Sequence, residues 1–180
     1  MRRPFVVGLL AVVCGVALAL ALNAWVFTLA SISSDSMAPT LVTGETVLVN
    51  KVGGISRGDV VGFDGRGVFV PLDHEPVVFA KRVIGVGGDR VTCCQADKVL
   101  VNGEPIDEPY VPSAAQDTLP FDVVVPQGSL WVEGDNRIAS ADSRAHLGEP
   151  GGGFVPEDKV VGKAVAIVWP FSQARTVAGS

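Results

Sequence analysis

Val77-Val78-Phe79-Ala80-Lys81-Arg82-Val83-Ile84 is the most apolar stretch of the chain beyond its first 30 residues. Its β-branched content marks it as a strand. Phe79, Lys81 and Val83 then share one face, and Ala80, Arg82 and Ile84 the other. Two consecutive cations must therefore leave the strand in opposite directions, which sends one of them towards a core. Short runs of the same character recur on both sides, at 46–49, 60–63, 99–101, 121–125, 130–132 and 160–168. Turn signals separate them: Gly53-Gly54, Arg57-Gly58-Asp59, Gly87-Gly88-Asp89, Asn102-Gly103, Pro126-Gln127-Gly128 and Gly134-Asp135-Asn136. Short strands at this spacing imply a mostly antiparallel all-β domain, with Asn102-Gly103 as a two-residue hairpin turn. The Pro/Gly-rich segment 146–154 reads as a flexible loop.

Upstream the pattern changes. Residues 5–30 carry no charge, and as a helix such a run spans roughly 39 Å at about 1.5 Å per residue, more than a hydrocarbon core of about 30 Å. A cleavable leader with a small-residue site at Ala19-Leu20-Ala21 is the rival reading, but the apolar run continues past that site through Trp25, Val26, Phe27 and Leu29. An uncleaved anchor is therefore expected. Arg2 and Arg3 precede it, which places residues 1–4 in the cytoplasm and 31–180 outside, with about five residues separating the anchor from Ser36.

The chain has 180 residues, enough for one domain of ordinary size. Of its 14 lysines and arginines only Arg2 and Arg3 precede residue 31, whereas all 19 acids follow it, so the outer domain is more acidic than the overall net charge of −5. That balance repels a phosphate backbone and argues against nucleic acid as a partner. Three cysteines make no disulfide framework, no Cys/His spacing suits zinc, and glycine-rich nucleotide motifs are absent. Neither a metal nor a cofactor is expected. Cys14 is an apolar filler; the adjacent Cys93 and Cys94 are compatible with a reduced pair, an intermolecular link or a strained bridge.

Both histidines, His74 and His146, fall in loop-like segments, which argues against a Ser-His-Asp triad. A serine can be activated instead by a lysine kept neutral through burial, since desolvation lowers an ammonium's pKa by several units. Lys81, inside the most apolar strand, is the lysine in such a setting.

Four segments occur in order behind the apolar run: Ser34-Asp35-Ser36-Met37-Ala38-Pro39-Thr40, Arg57-Gly58-Asp59-Val60-Val61, Lys81-Arg82-Val83-Ile84-Gly85, and Gly134-Asp135-Asn136-Arg137-Ile138-Ala139-Ser140-Ala141-Asp142-Ser143-Arg144. Together with Val101-Asn102-Gly103 and Val161-Gly162-Lys163-Ala164, they resemble the type I signal peptidases of bacteria, membrane-bound serine endopeptidases that use a Ser/Lys dyad. The resemblance implies Ser36 as nucleophile, Lys81 as general base and Ser140 as the hydroxyl that orients the lysine. Ser34 and the Ser36 N–H would form the oxyanion hole, and Asp142 with Arg144 a structural ion pair. Ile32, Met37, Leu41, Phe79 and Ala80 would line shallow pockets for small side chains at the −3 and −1 positions of a signal peptide, while Asp135 and Asn136 read as turn residues.

The expected fold is several coiled antiparallel sheets forming one catalytic core, with a small β cap at about 86–130 and one N-terminal transmembrane helix. Expected partners are preprotein signal peptides and membrane lipid, at the bacterial cytoplasmic membrane. Two alternatives share these motifs in whole or in part: a dedicated maturation protease for conjugation or pilus components, and an inactive membrane-anchored binding module. Glu149-Pro150-Gly151-Gly152-Gly153 stands as an insertion relative to the family pattern. Trp169-Pro170-Phe171 would either dip into the membrane interface or bury a strand end.

Overall fold

Short β-branched runs bounded by turn residues dictate sheets, and the computed structural model, which describes residues 12–15, 25–95, 98–113 and 119–177, contains two. With strands numbered along the chain, the first sheet runs β1 (Phe27–Ser31), β2 (Thr46–Asn50), β11 (Val160–Trp169), β3 (Val60–Asp64), β4 (Val78–Val86), β9 (Ser129–Glu133) and β10 (Val155–Pro156). A short β12 (Arg175–Thr176) also pairs with β11. The second sheet, called the cap below, is β7 (Glu104–Pro105), β6 (Lys98–Val101), β5 (Arg90–Gln95) and β8 (Phe121–Val124). Every strand pairing in both sheets is antiparallel.

All seven apolar runs read from the sequence fall on strands, two of them, 77–84 and 121–125, overrunning by one residue. Between β6 and β7, Asn102 (φ 55°) and Gly103 (φ 86°) both take the left-handed conformation that a tight hairpin turn requires. Three apolar clusters form the interior. Met37, Leu41, Val47, Val49, Val60 and Ile167 make one beneath β2 and β11. Phe63, Val83, Leu130 and Val132 belong to a second, and Ile84, Val91, Val101 and Trp131 tie β4 and β9 to the cap in a third. Strand β4 contributes to all three, through Ala80, Val83 and Ile84, so both of its faces are covered.

Three sequence expectations change here. Most of the apolar run 5–30 lies outside the described residues, and no helix among those described is long and apolar enough to cross a membrane. The end of that run is not helix: Trp25 and Val26 are helical, but Phe27 onward is β1, paired in register with β2 from Phe27↔Asn50 to Ser31↔Thr46. An edge of a half-built sheet offers Phe27-Thr28-Leu29-Ala30 a full hydrogen-bond ladder, which outweighs the run's apolar continuity. Segment 146–154, expected to be loose, is pinned by rings: His146 stacks on Phe69 at 4.4 Å between centroids, and Phe154 packs on Trp131 at 5.6 Å. Finally, Trp169 (53% exposed) and Phe171 (78%) form an exposed edge-to-face pair, so the strand end is not buried. Cys93 and Cys94, whose pairing the sequence leaves open, are joined to one another.

Candidate active site

The segment 32–45 leaves β1 and returns to β2, closed at its neck by Ile32 N–H to the Glu45 carbonyl (2.8 Å) and Gly44 N–H to the Ile32 carbonyl (2.9 Å). Met37 and Leu41 sink into the core at 1% and 0% exposure and anchor it, while the Asp35 carboxylate takes the N–H and hydroxyl of Thr43 at 2.9 and 2.8 Å. Ser36 is thus held at the lip of the core. From β4, the Lys81 ammonium nitrogen reaches Ser36 Oγ at 2.7 Å, across 45 residues of sequence.

Lys81 is 2% exposed, and its pKa is pushed down from the usual 10.5 to about 8, chiefly by burial. The Asp142 carboxylate works against that shift, Arg144 assists it, and Asp135 opposes it more weakly. Water cannot solvate the ammonium here, so the neutral amine becomes accessible close to neutral pH. The Ser34 hydroxyl lies 3.3 Å from Ser36 Oγ on the solvent side.

Gly134 forms the floor behind Ser36 and Lys81. A Cβ there would run into Ser140 Oγ and the Ser36 carbonyl, so only glycine lets the chain just past β9 run so close to the Ser36 backbone. Its N–H donates to Asp142 at 2.9 Å, and Asp142 is paired with Arg144 at 2.7 Å. This ion pair therefore braces Gly134, one residue behind Ser36 and Lys81. Ser140, expected to orient Lys81, places its buried Oγ beside Gly134 and towards the Asp142 carboxylate, whose pKa it helps to lower, and no hydrogen bond joins it to Lys81.

The sequence reading expected one of the two cations on β4 to point inward; both do. Arg82 is 1% exposed and makes a forked pair with Asp135, Nε to Oδ1 at 2.8 Å and Nη2 to Oδ2 at 2.7 Å. It also donates to the Gly58 carbonyl at 2.7 Å, and its guanidinium lies 3.8 Å from the Tyr110 ring centre. Asp135 is therefore no simple turn residue: it is fully buried, and it accepts from Thr40 as well. Arg137 extends the network to Glu133 (2.9 Å) and Glu108. Nothing local in Gly134-Asp135-Asn136 signals these partners, which come from β4 and from the segment after Ser36.

Ile32, Met37, Phe79 and Ala80 line a cleft of about 150 Å³ that ends on Ser36 and Lys81. Leu41 lies in an adjoining apolar groove of about 250 Å³, which shares Ile32 and Ala80 with the first. A larger hollow of about 320 Å³ between Arg57, Ile106 and Tyr110 touches neither Ser36 nor Lys81. Among the described residues, no group of three His, Cys, Asp or Glu side chains is placed to hold a metal ion.

Residues 6–169 match the family model described as "Signal peptidase, peptidase S26". A probable signal peptidase I of Mycobacterium leprae is 37% identical over 79% of this chain and 68% of its own length. Signal peptidase I of Bacillus amyloliquefaciens is 34% identical over 92% of this chain and 86% of its own length. A crystal structure of a signal peptidase I from Enterococcus faecalis aligns at a TM-score of 0.49 and 27% identity, over 62% of this chain and 97% of that one.

Proposed function

The chain belongs to the signal peptidase family, peptidase S26, and is a serine peptidase; from that premise we propose that it removes N-terminal signal peptides from exported preproteins. The observation that carries the mechanism is the 2.7 Å contact between Ser36 Oγ and a lysine withdrawn from water. Neutral Lys81 takes the hydroxyl proton as Ser36 Oγ attacks the scissile carbonyl carbon. The resulting oxyanion is met by the Ser36 N–H and the Ser34 hydroxyl, a kind of donor worth about 2.7–4 kcal/mol at the transition state. Lys81 then gives its proton to the departing amine, leaving an ester on Ser36. Water, deprotonated by the same lysine, hydrolyses that ester and regenerates the dyad.

The cleft walls explain the choice of bond. The cleft is flanked by 31–34, which follow from β1, and by the start of β4, whose pairing to β9 begins only at Arg82, so a substrate strand laid along that free stretch gains main-chain hydrogen bonds. Its side chains at −1 and −3 meet Ile32, Met37, Phe79 and Ala80, with Leu41 deeper in the adjoining groove, and this reading assigns small residues to both positions. In this reading the run from Phe5 to Val26 anchors the protein in the bacterial cytoplasmic membrane, with the N-terminus inside and the catalytic domain outside. The exposed Trp169 and Phe171 suit a membrane–water interface.

Incubating the detergent-solubilised protein with a preprotein and locating the cut by mass spectrometry tests the proposal. A single cut after a small residue, with a second small residue two positions upstream, is the expected result. Cuts scattered along the preprotein, or an uncut preprotein, would refute it.

The lowered pKa of Lys81 also fixes the direction of the pH profile. The base must be neutral, so kcat/KM rises as pH increases through about 8 and levels off above it. Initial rates on a short peptide between pH 6 and 10 check this. A flat profile with chemistry rate-limiting would exclude a lysine base.

A further inference from the structure

Asn136 makes two hydrogen bonds to the backbone of the nucleophile. Its own N–H donates to the Ser36 carbonyl at 3.1 Å, and its side-chain Nδ2 donates to the Asp35 carbonyl, also at 3.1 Å. The group facing Asp35 must be the amide nitrogen, because a carbonyl oxygen can only accept. A trans peptide is a rigid plate whose C=O and N–H point in opposite directions. Fixing the Asp35 carbonyl therefore fixes the direction of the Ser36 N–H, which lies on the same plate. Asn136 also holds the following plate through the Ser36 carbonyl. With both plates set, φ and ψ of Ser36 are set, and so is the direction in which its Cβ carries Oγ.

Two further observations agree. Among the described residues the Ser36 N–H donates to no backbone carbonyl, and Ser36 lines the cleft. The Asp35 side chain is meanwhile tied down by Thr43, so the first plate is held through its residue's side chain as well as its carbonyl.

We propose that Asn136 is a positioning residue that aims both the Ser36 N–H at the developing oxyanion and the Ser36 hydroxyl at Lys81. The inference rests on Ser36 being the nucleophile. Asn136 acts through the backbone and touches no substrate atom.

The test uses the full-length protein in detergent with a peptide substrate. Asn136→Ala keeps the backbone N–H and loses the side-chain bond. Asn136→Asp is nearly isosteric but turns a carboxylate oxygen towards the Asp35 carbonyl, which repels the plate. Loss of a whole oxyanion donor costs about 10²–10³-fold in kcat, so Asn136→Ala should cost about 10–100-fold and Asn136→Asp more. KM should stay within about threefold of the parent, since the interaction matters only in the transition state. Affinity for a peptide aldehyde, whose carbonyl carbon takes up Ser36 Oγ to form a tetrahedral hemiacetal, should fall in step with kcat/KM. The pH midpoint near 8 and the thermal midpoint should both stay where they are in the parent.

A kcat within about twofold of the parent in both variants would overturn the inference. So would a loss carried by KM alone, or one that tracks a fall in thermal midpoint. Activity surviving Ser36→Ala would instead remove the premise, and is scored separately from the Asn136 variants.

Discussion

Ser36→Ala and Lys81→Ala are each expected to abolish hydrolysis while the folded domain persists. Single losses from a nucleophile–base unit in serine proteases cost on the order of 10⁶-fold in kcat, so a fall of at least about 10⁴-fold is expected from each change. The two residues act through one hydrogen bond at 2.7 Å, and the double variant should be scarcely worse than either single. Lys81→Arg should be as inactive as Lys81→Ala, because a guanidinium does not surrender its proton near neutral pH. Lys81→Met separates chemistry from folding: it removes a buried amine of 2% exposure and keeps its bulk, so the thermal midpoint should equal or exceed that of the parent. Single-turnover rates and thermal unfolding on the same preparations check all five variants. More than a few per cent of parental activity in Lys81→Ala would end the dyad assignment.

The second large effect is on stability. Arg82 and Asp135 are an ion pair with both side chains 1% exposed, joined by two parallel hydrogen bonds. Removing one member leaves the other charge buried without its counterion, which costs about 3–5 kcal/mol. For a chain of this size about 2–4 °C of midpoint follows each kcal/mol, so Arg82→Met or Asp135→Leu alone should lower the thermal midpoint by about 6–20 °C. Replacing both with apolar residues removes the stranded charge, and the double variant should recover part of the loss. Scanning calorimetry of the three variants decides the point: strict additivity would show that the two residues do not act as a pair.

The strands were legible because β-branched clusters between turn residues have few other ways to fold. Lys81 was legible for a related reason, as a cation inside the most apolar strand. What escaped the sequence was set by distant partners. The letters Phe27-Thr28-Leu29-Ala30 serve a membrane helix and a strand equally well; the β2 ladder decides between them. Strand β5, with Thr92, Cys93 and Cys94 in it, is too polar to stand out as a run, and is recruited by β6 and β8. Gly134-Asp135-Asn136 carries the composition of a turn. Its middle residue is committed to Arg82, 53 positions away, and its last to the Ser36 backbone, 100 positions away. His146 looked mobile among glycines because its stacking partner, Phe69, lies far upstream.

β1 begins at Phe27, immediately after helical Val26, and all five of its residues are locked to β2. Of the residues 31–35 read as a spacer before Ser36, Ser31 belongs to that strand, Ile32 is bonded to Glu45 and Gly44, and Asp35 to Thr43, so the spacer is not a leash. A leash would let the catalytic atom sweep a hemisphere; a strand acts as a bracket. If the apolar run ending at Val26 crosses the bilayer as proposed, β1 carries the chain about 17 Å, at about 3.3 Å per residue, to where the Ser36 segment begins. The dyad then stands at one height and one angle relative to the point of exit. Such an enzyme measures as well as binds: a peptide bond is reached only where it stands level with the bracket, and an identical small-residue sequence further along a secreted chain passes out of range.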